Sequence, residues 1–163
     1  MVPESPKPLL DVRELGVAFD SEGGAVHAVN GVSYTLKEGE TLGIVGESGS
    51  GKSVHVLAML GLIPRPPGRI TGGQVLFAGR DLLRLPERDL RKVRGGQIGF
   101  VFQDPMSSLN PGMTVAAQII EPLRIHLGLD GRAARARARD LLDLVRIPNA
   151  GARLDQYLSL IHI

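Results

Sequence analysis

The stretch Gly46-Glu47-Ser48-Gly49-Ser50-Gly51-Lys52-Ser53 constrains this chain more than any other. It fits G-x-x-x-x-G-K-[ST], a pattern in which a strand runs into a glycine-rich turn and the turn opens a helix. Both flanks supply that context. Thr41-Leu42-Gly43-Ile44-Val45 is a short apolar run that reads as a buried strand, and residues 54–62 read as a buried helix. A flexible Gly/Ser linker is the bland alternative, but linkers are not normally set between two apolar runs. Glycines let backbone N–H groups wrap phosphate oxygens, and a helix starting near Gly51 points the positive end of its dipole at them. Lys52 can reach β- and γ-phosphates as a point charge. Ser53 offers a hydroxyl to Mg²⁺, an ion that keeps several waters as further ligands. The pattern predicts binding of a nucleoside triphosphate and does not by itself predict hydrolysis.

Composition narrows the setting. The 163 residues suffice for one domain with a core, and 43% hydrophobic with 22% charged residues is ordinary for a soluble globular chain. A net charge of +2 is too small to argue for nucleic acid as a partner. Without cysteine there is no disulfide framework and no thiolate metal site, which is compatible with a reducing cytoplasm. No apolar run approaches the length of a bilayer span. Residues 1–8 hold three prolines and no apolar core of a secretory signal, so they read as a loose tail.

Taken in order, residues 9–19 are strand-like with a break near Gly16, and Ser21-Glu22-Gly23-Gly24 is a turn. Residues 25–29 and 32–36 read as two short strands, Val32, Tyr34 and Leu36 alternating with polar neighbours. Several strands before the first helix indicate an antiparallel β layer attached to an α/β core. Residues 64–73, with three prolines and three glycines, read as a surface connection, followed by a strand at 74–78. Pro86 suits the first position of a short helix over 87–93, and residues 98–102 read as a second buried strand. Residues 114–126 and 133–147 read as helices, the second with Ala134, Ala138, Leu141, Leu142 and Val145 on one face and Asp130 as its cap. The basic run Arg132, Arg135, Arg137, Arg139 has no interleaved aromatic residue, so it reads as a solvated face. Asp143 belongs to the polar face of the same helix, and the scattered His27, His55, His126 and His162 offer no ligand-like pair.

Three stretches agree with one family: the 46–53 loop with its flanks, Phe100-Val101-Phe102-Gln103-Asp104-Pro105-Met106-Ser107-Ser108-Leu109-Asn110-Pro111, and Val26-His27-Ala28-Val29-Asn30-Gly31-Val32-Ser33. Together they resemble the ATP-binding subunits of ABC transporters, most of all the oligopeptide/dipeptide (and nickel) importer branch, over about residues 9–157. The resemblance implies an α/β P-loop NTPase, a RecA-like core with an antiparallel β layer, joined to the start of an α-helical subdomain. It implies ATP and Mg²⁺ as cofactors, with Gly46, Glu47, Ser48, Gly49, Ser50, Gly51, Lys52 and Ser53 cradling the nucleotide and Phe19 stacking on adenine. Gln103 matches the glutamine that touches Mg²⁺ and the attacking water, a task suited to an amide that coordinates through oxygen and donates through nitrogen. The implied partners are integral-membrane permease subunits, docked near residues 104–111, and a second ATPase subunit, identical or paralogous. The implied location is peripheral, on the cytoplasmic face of the inner membrane. A repair or translation ATPase of the same superfamily is the other class considered, and it does not carry the run after Gln103.

The sequence also departs from that family. A Leu-Ser-Gly-Gly-Gln-type signature, a strand ending in Asp-Glu and a switch histidine are expected downstream, whereas residues 158–163 read Leu-Ser-Leu-Ile-His-Ile. These last six resemble the translation of a transposase adapter used in sequencing libraries. The expected organisation is therefore a tail (1–8), the N-terminal part of an ATPase core (9–103), the start of the helical subdomain (104–157) and an adapter-encoded tail (158–163). The expected activity is ATP-powered import of peptides or similar solutes for the whole protein, with nucleotide binding without turnover as the alternative for this truncated chain. Loss of central strands exposes apolar surface, so the isolated chain is expected to be unstable.

Overall fold

The computed structural model describes residues 7–102 and 109–157, in two compact units divided between Leu90 and Arg91. The subdomain boundary expected near Gln103 lies outside the described residues.

The first unit is built on β1 (Leu10–Ser21), which lies between β2 (Gly24–Leu36) and β3 (Gly68–Phe77) in an antiparallel sheet of order β2-β1-β3-β4, with β4 at Arg80–Asp81. The expected turn closes the β1–β2 hairpin: Ser21 pairs with Gly24, and its hydroxyl donates to the Gly24 carbonyl at 2.6 Å. The break expected near Gly16 appears as shifts of register against both neighbours. Glu14 takes a left-handed conformation there (φ 46°). Its backbone N–H donates to Ser33 Oγ at 2.8 Å, and the Ser33 hydroxyl donates back to Glu14 Oε1 at 2.8 Å. These bulges carry Leu15, Val17 and Ala18 all into the interior, which strict alternation would not allow. The two strands expected over 25–36 form one continuous β2, and its Val32, Tyr34 and Leu36 are half-buried as their alternation indicated. Helix α1 (Lys52–Met59) packs on β1 and β2, burying Ala58 and Met59.

Two expectations change. Residues 68–73, read from sequence as surface connection, are the first part of β3, with Gly68 opposite Phe19 and Ile70 opposite Val17. Their glycines serve close packing: a Cβ on Gly73 would lie 2.6 Å from the Arg13 carbonyl oxygen, and one on Gly68 would lie 2.8 Å from that of Pro64. The apolar runs 41–45 and 98–102 do not form strands; Ile98 makes one isolated bridge, with Arg94. A strand requires a neighbouring strand for its N–H and C=O groups, and among the described residues no strand pairs with either run. Their side chains are accordingly open, Val45 at 93% and Val101 at 95% exposure.

The second unit is helical after its first residues. Helix α2 (Glu87–Val93) spans the division between the units, and α3 (Val115–Leu127), α4 (Gly131–Leu144) and α5 (Ala150–Arg153) follow. Thr114 and Asp130 cap α3 and α4 by accepting from Ala117 N and Ala133 N. Ala116, Leu123, Ala134, Ala138, Leu142, Ala150 and Leu154 form the core of this unit. The basic residues of α4 are exposed; Arg135 makes a two-pronged ion pair with Asp155, at 2.8 and 2.6 Å. Asp143 is likewise exposed on the helix.

Leu15 is fully buried, so Leu15→Ala is expected to lower the stability of the first unit by about 2–5 kcal/mol. Val45→Ala is expected to change it by less than about 0.5 kcal/mol, because nothing packs on that side chain. Urea unfolding followed by circular dichroism measures both.

Candidate functional site

The 46–53 loop leaves the exposed 41–45 run and enters α1 at Gly51, the residue before the first helical position. Gly49 and Gly51 take left-handed conformations (φ 81° and 87°). At Gly51 a second requirement applies: a Cβ there would collide with the Ala28 carbonyl oxygen of β2. A turn from the Ser50 N–H to the Glu47 carbonyl, 3.2 Å, closes the loop. The Lys52 ammonium lies across it, donating to the carbonyls of Gly46 (2.7 Å) and Glu47 (2.6 Å) and to Ser50 Oγ (3.3 Å). Ser53 is exposed in the first turn of α1. The N-cap residue, Gly51, makes no side-chain cap to the helix.

Gly46, Ser50, Gly51 and Lys52 line a cavity of about 280 Å³ together with Val29, Val32, Tyr34, Ile44, Val45 and His55. Two of its walls were not singled out as functional from sequence. His55 is buried at 4% exposure, and its Nε2 lies 3.3 Å from the Tyr34 hydroxyl, the two rings meeting edge to face at 5.9 Å. Burial holds the His55 imidazole below its ordinary pKa, opposed by hydrogen bonds to the Gly51 and Lys52 backbone. The same burial raises the Tyr34 phenol above its ordinary 10.0. The available sequence signal was the half-buried alternation of β2 and the fourth position of α1, both of which face the interior.

The remaining expected residues stand apart from this cavity. Glu47, Ser48 and Gly49 form the exposed rim of the loop. Phe19 is half-buried on β1, between Val26 of β2 and Gly68 of β3, with its ring edge 3.0 Å from where a Cβ on Gly68 would stand. Gln103 lies outside the described residues, as do residues 104–108 of the run that follows it. The end of that run is pinned to α3: Gln118 Oε1 accepts from Asn110 N at 2.7 Å, and Gln118 Nε2 donates to the Asn110 carbonyl at 3.1 Å. Gln118 was not singled out from sequence, where it is one polar residue in a helix.

A strand layer carrying a glycine-rich loop that opens a helix, with a lysine folded over the loop, defines a P-loop nucleotide-binding cassette. Residues 29–160 match the ABC transporter family, and the chain belongs to it. Among curated proteins it is 50% identical to the oligopeptide transport ATP-binding protein OppD of Bacillus subtilis over 91% of this chain and 42% of that protein. It is 48% identical to the dipeptide transport ATP-binding protein DppD of Escherichia coli, over 91% of this chain and 45% of that one. The chain thus spans less than half the length of these relatives. The dimeric ABC transporter cassette MJ0796 superposes with a TM-score of 0.78 at 25% identity, covering 93% of this chain and 62% of the cassette. A second structure of that cassette is a post-hydrolysis state bound to ADP and Pi. The fold is the ABC ATPase cassette, of which this structure covers a part. No helix among the described residues is long and apolar enough to cross a membrane.

Two outcomes follow from the site's geometry. Gly51→Ala adds a carbon both at positive φ and against the Ala28 carbonyl, so the loop must shift; its melting temperature should fall by several degrees, as calorimetry would show. A raised Tyr34 pKa means the fold favours the neutral phenol. That contribution is fully present below about pH 10 and is lost as pH rises through the folded value. Melting temperatures measured from about pH 9 to 11 should therefore fall less steeply for Tyr34→Phe than for the parent chain.

Proposed function

We propose that this chain is the nucleotide-binding part of an ATP-binding subunit that powers ABC-type import of peptides or similar small solutes. The observation that carries the reading is Lys52 folded over the glycine-rich loop at an uncapped helix N-terminus, in a chain about half of whose residues match peptide-transport ATP-binding proteins. The loop fits a triphosphate on its donor set. Its backbone N–H groups and the Lys52 ammonium supply positive charge, and its glycines leave room for close approach by phosphate oxygens. The Lys52 ammonium now bonds to two carbonyls and a hydroxyl, partners that phosphate oxygens can replace with stronger charge-assisted bonds.

In this reading Gly46, Glu47, Ser48, Gly49, Ser50 and Gly51 wrap the phosphates, Lys52 neutralises the β- and γ-groups and Phe19 stacks on adenine. Ser53 and Gln103 would hold Mg²⁺, which would supply positive charge to the triphosphate. The exposure of Ser53 suits that role. ATP binding and hydrolysis by the whole protein then drive membrane permease subunits between their two open states, in concert with a second ATPase subunit. The location that follows is peripheral, at the cytoplasmic face of the inner membrane. Asn110, bonded to Gln118 of α3, belongs to the surface around residues 104–111 proposed to meet the permease.

Titrating the chain with a fluorescent ATP analogue in the presence of Mg²⁺ tests the reading. Lys52→Ala removes a charge-assisted phosphate contact and should weaken binding by at least about tenfold. Unchanged affinity in that variant would contradict the assignment.

A further inference from the structure

Helix α1 has a structural problem. It runs for only eight residues, begins in an exposed loop and has no side-chain cap. Helices this short do not hold their own first turn in water, so the direction of the phosphate-facing N–H groups must be set by tertiary contacts. Strand β2 supplies two of them. At one point the Ala28 carbonyl abuts Gly51. At the other, Tyr34 reaches His55, the last residue of the first helical turn.

The second contact links the start of α1 to β2 through hydrogen bonds at both ends. The His55 backbone N–H donates to the Gly51 carbonyl at 2.9 Å, which ties this residue to the end of the phosphate loop. The Tyr34 hydroxyl and His55 Nε2 lie 3.3 Å apart, and the imidazole tautomer decides which of the two donates. Met59 Sδ, one turn further along α1 and 3.4 Å from the same hydroxyl, is the weaker alternative acceptor. His55 is the one buried polar or charged side chain among the described residues, in a position that an apolar residue could fill. Its ring joins the backbone that ends the phosphate loop to the strand beneath it.

We propose that the Tyr34–His55 pair is a positioning device for the phosphate loop: it fixes the first turn of α1, and the N–H groups of residues 51–53 with it, at the angle that nucleotide phosphates require. The proposal rests on the nucleotide-binding reading above and adds to it two residues that touch no phosphate. Val29 and Val32, between the two β2 contacts, line the same cavity as Gly46, Ser50 and Lys52. Loosening one contact therefore lets the loop pivot about the other.

The test is affinity for a fluorescent ATP analogue with Mg²⁺, measured on the full chain alongside its melting temperature. Tyr34→Phe and His55→Ala are each expected to weaken affinity by about fivefold, the scale of one hydrogen bond. The double variant should be no weaker than the weaker single one, because both remove the same bond. His55→Gln, which keeps an acceptor within reach of Tyr34, should stay within about twofold of the parent chain. Tyr34→Phe removes one oxygen and keeps the ring, so it carries the test if His55→Ala does not fold. Losses that multiply in the double variant, a His55→Gln as weak as His55→Ala, or melting temperatures that fall while affinity holds, would each overturn the proposal. Lys52→Ala separates the two levels. If it too leaves affinity unchanged, the nucleotide reading fails; if it alone weakens binding, only the positioning role fails.

Discussion

Everything around the candidate site depends on how closely β2 approaches the start of α1. At Gly51 the chain turns with a positive φ while pressed against the Ala28 carbonyl, and only a residue without a side chain satisfies both conditions. That contact fixes the point at which the loop becomes helix. It thereby fixes where the uncapped N–H groups emerge and how Lys52 can fold back over Gly46 and Glu47. The antiparallel layer is thus the template for the loop. Strand β2 is paired along its length to the bulged β1, which buries Leu15, Val17 and Ala18.

The electrostatics follow from the same arrangement. The loop is exposed, it carries the Lys52 ammonium and the Glu47 carboxylate, and the helix behind it has no acidic residue in its first turn. A carboxylate cap would have stabilised α1 while competing with an anionic ligand for the same N–H groups. Here the helix is held instead from its inner face, through Ala58, Met59 and the His55 ring. Its N-terminus is left for chemistry.

Much of this was legible in the sequence, for physical reasons. The spacing of glycines, lysine and serine between two apolar runs can be read because each residue type answers a local demand of phosphate binding. The β1–β2 turn and the cap at Asp130 were legible because turn and cap chemistry is local too, whereas Thr114, read as part of its helix, is the cap of that helix. What escaped is non-local. Residues 68–73 look like a loop by composition, yet their glycines answer to the backbone of β1, far away in the chain. Runs 41–45 and 98–102 have strand composition, but a strand exists only where another strand pairs with it, and no strand among the described residues does so. The Tyr34–His55 contact joins residues 21 positions apart, and neither residue type announces it. Phe19 shows the limit of a residue-type argument: its strand position suits an apolar packing role as well as a stacking one.

Amide resonances of the isotope-labelled chain, followed while Mg²⁺ and ATP are added, measure the central claim most directly. If the loop cradled by β2 is the phosphate site, the largest saturable shifts fall on the backbone N–H groups of residues 49–53. Saturable shifts confined to other parts of the chain, with those amides unmoved, would contradict the account.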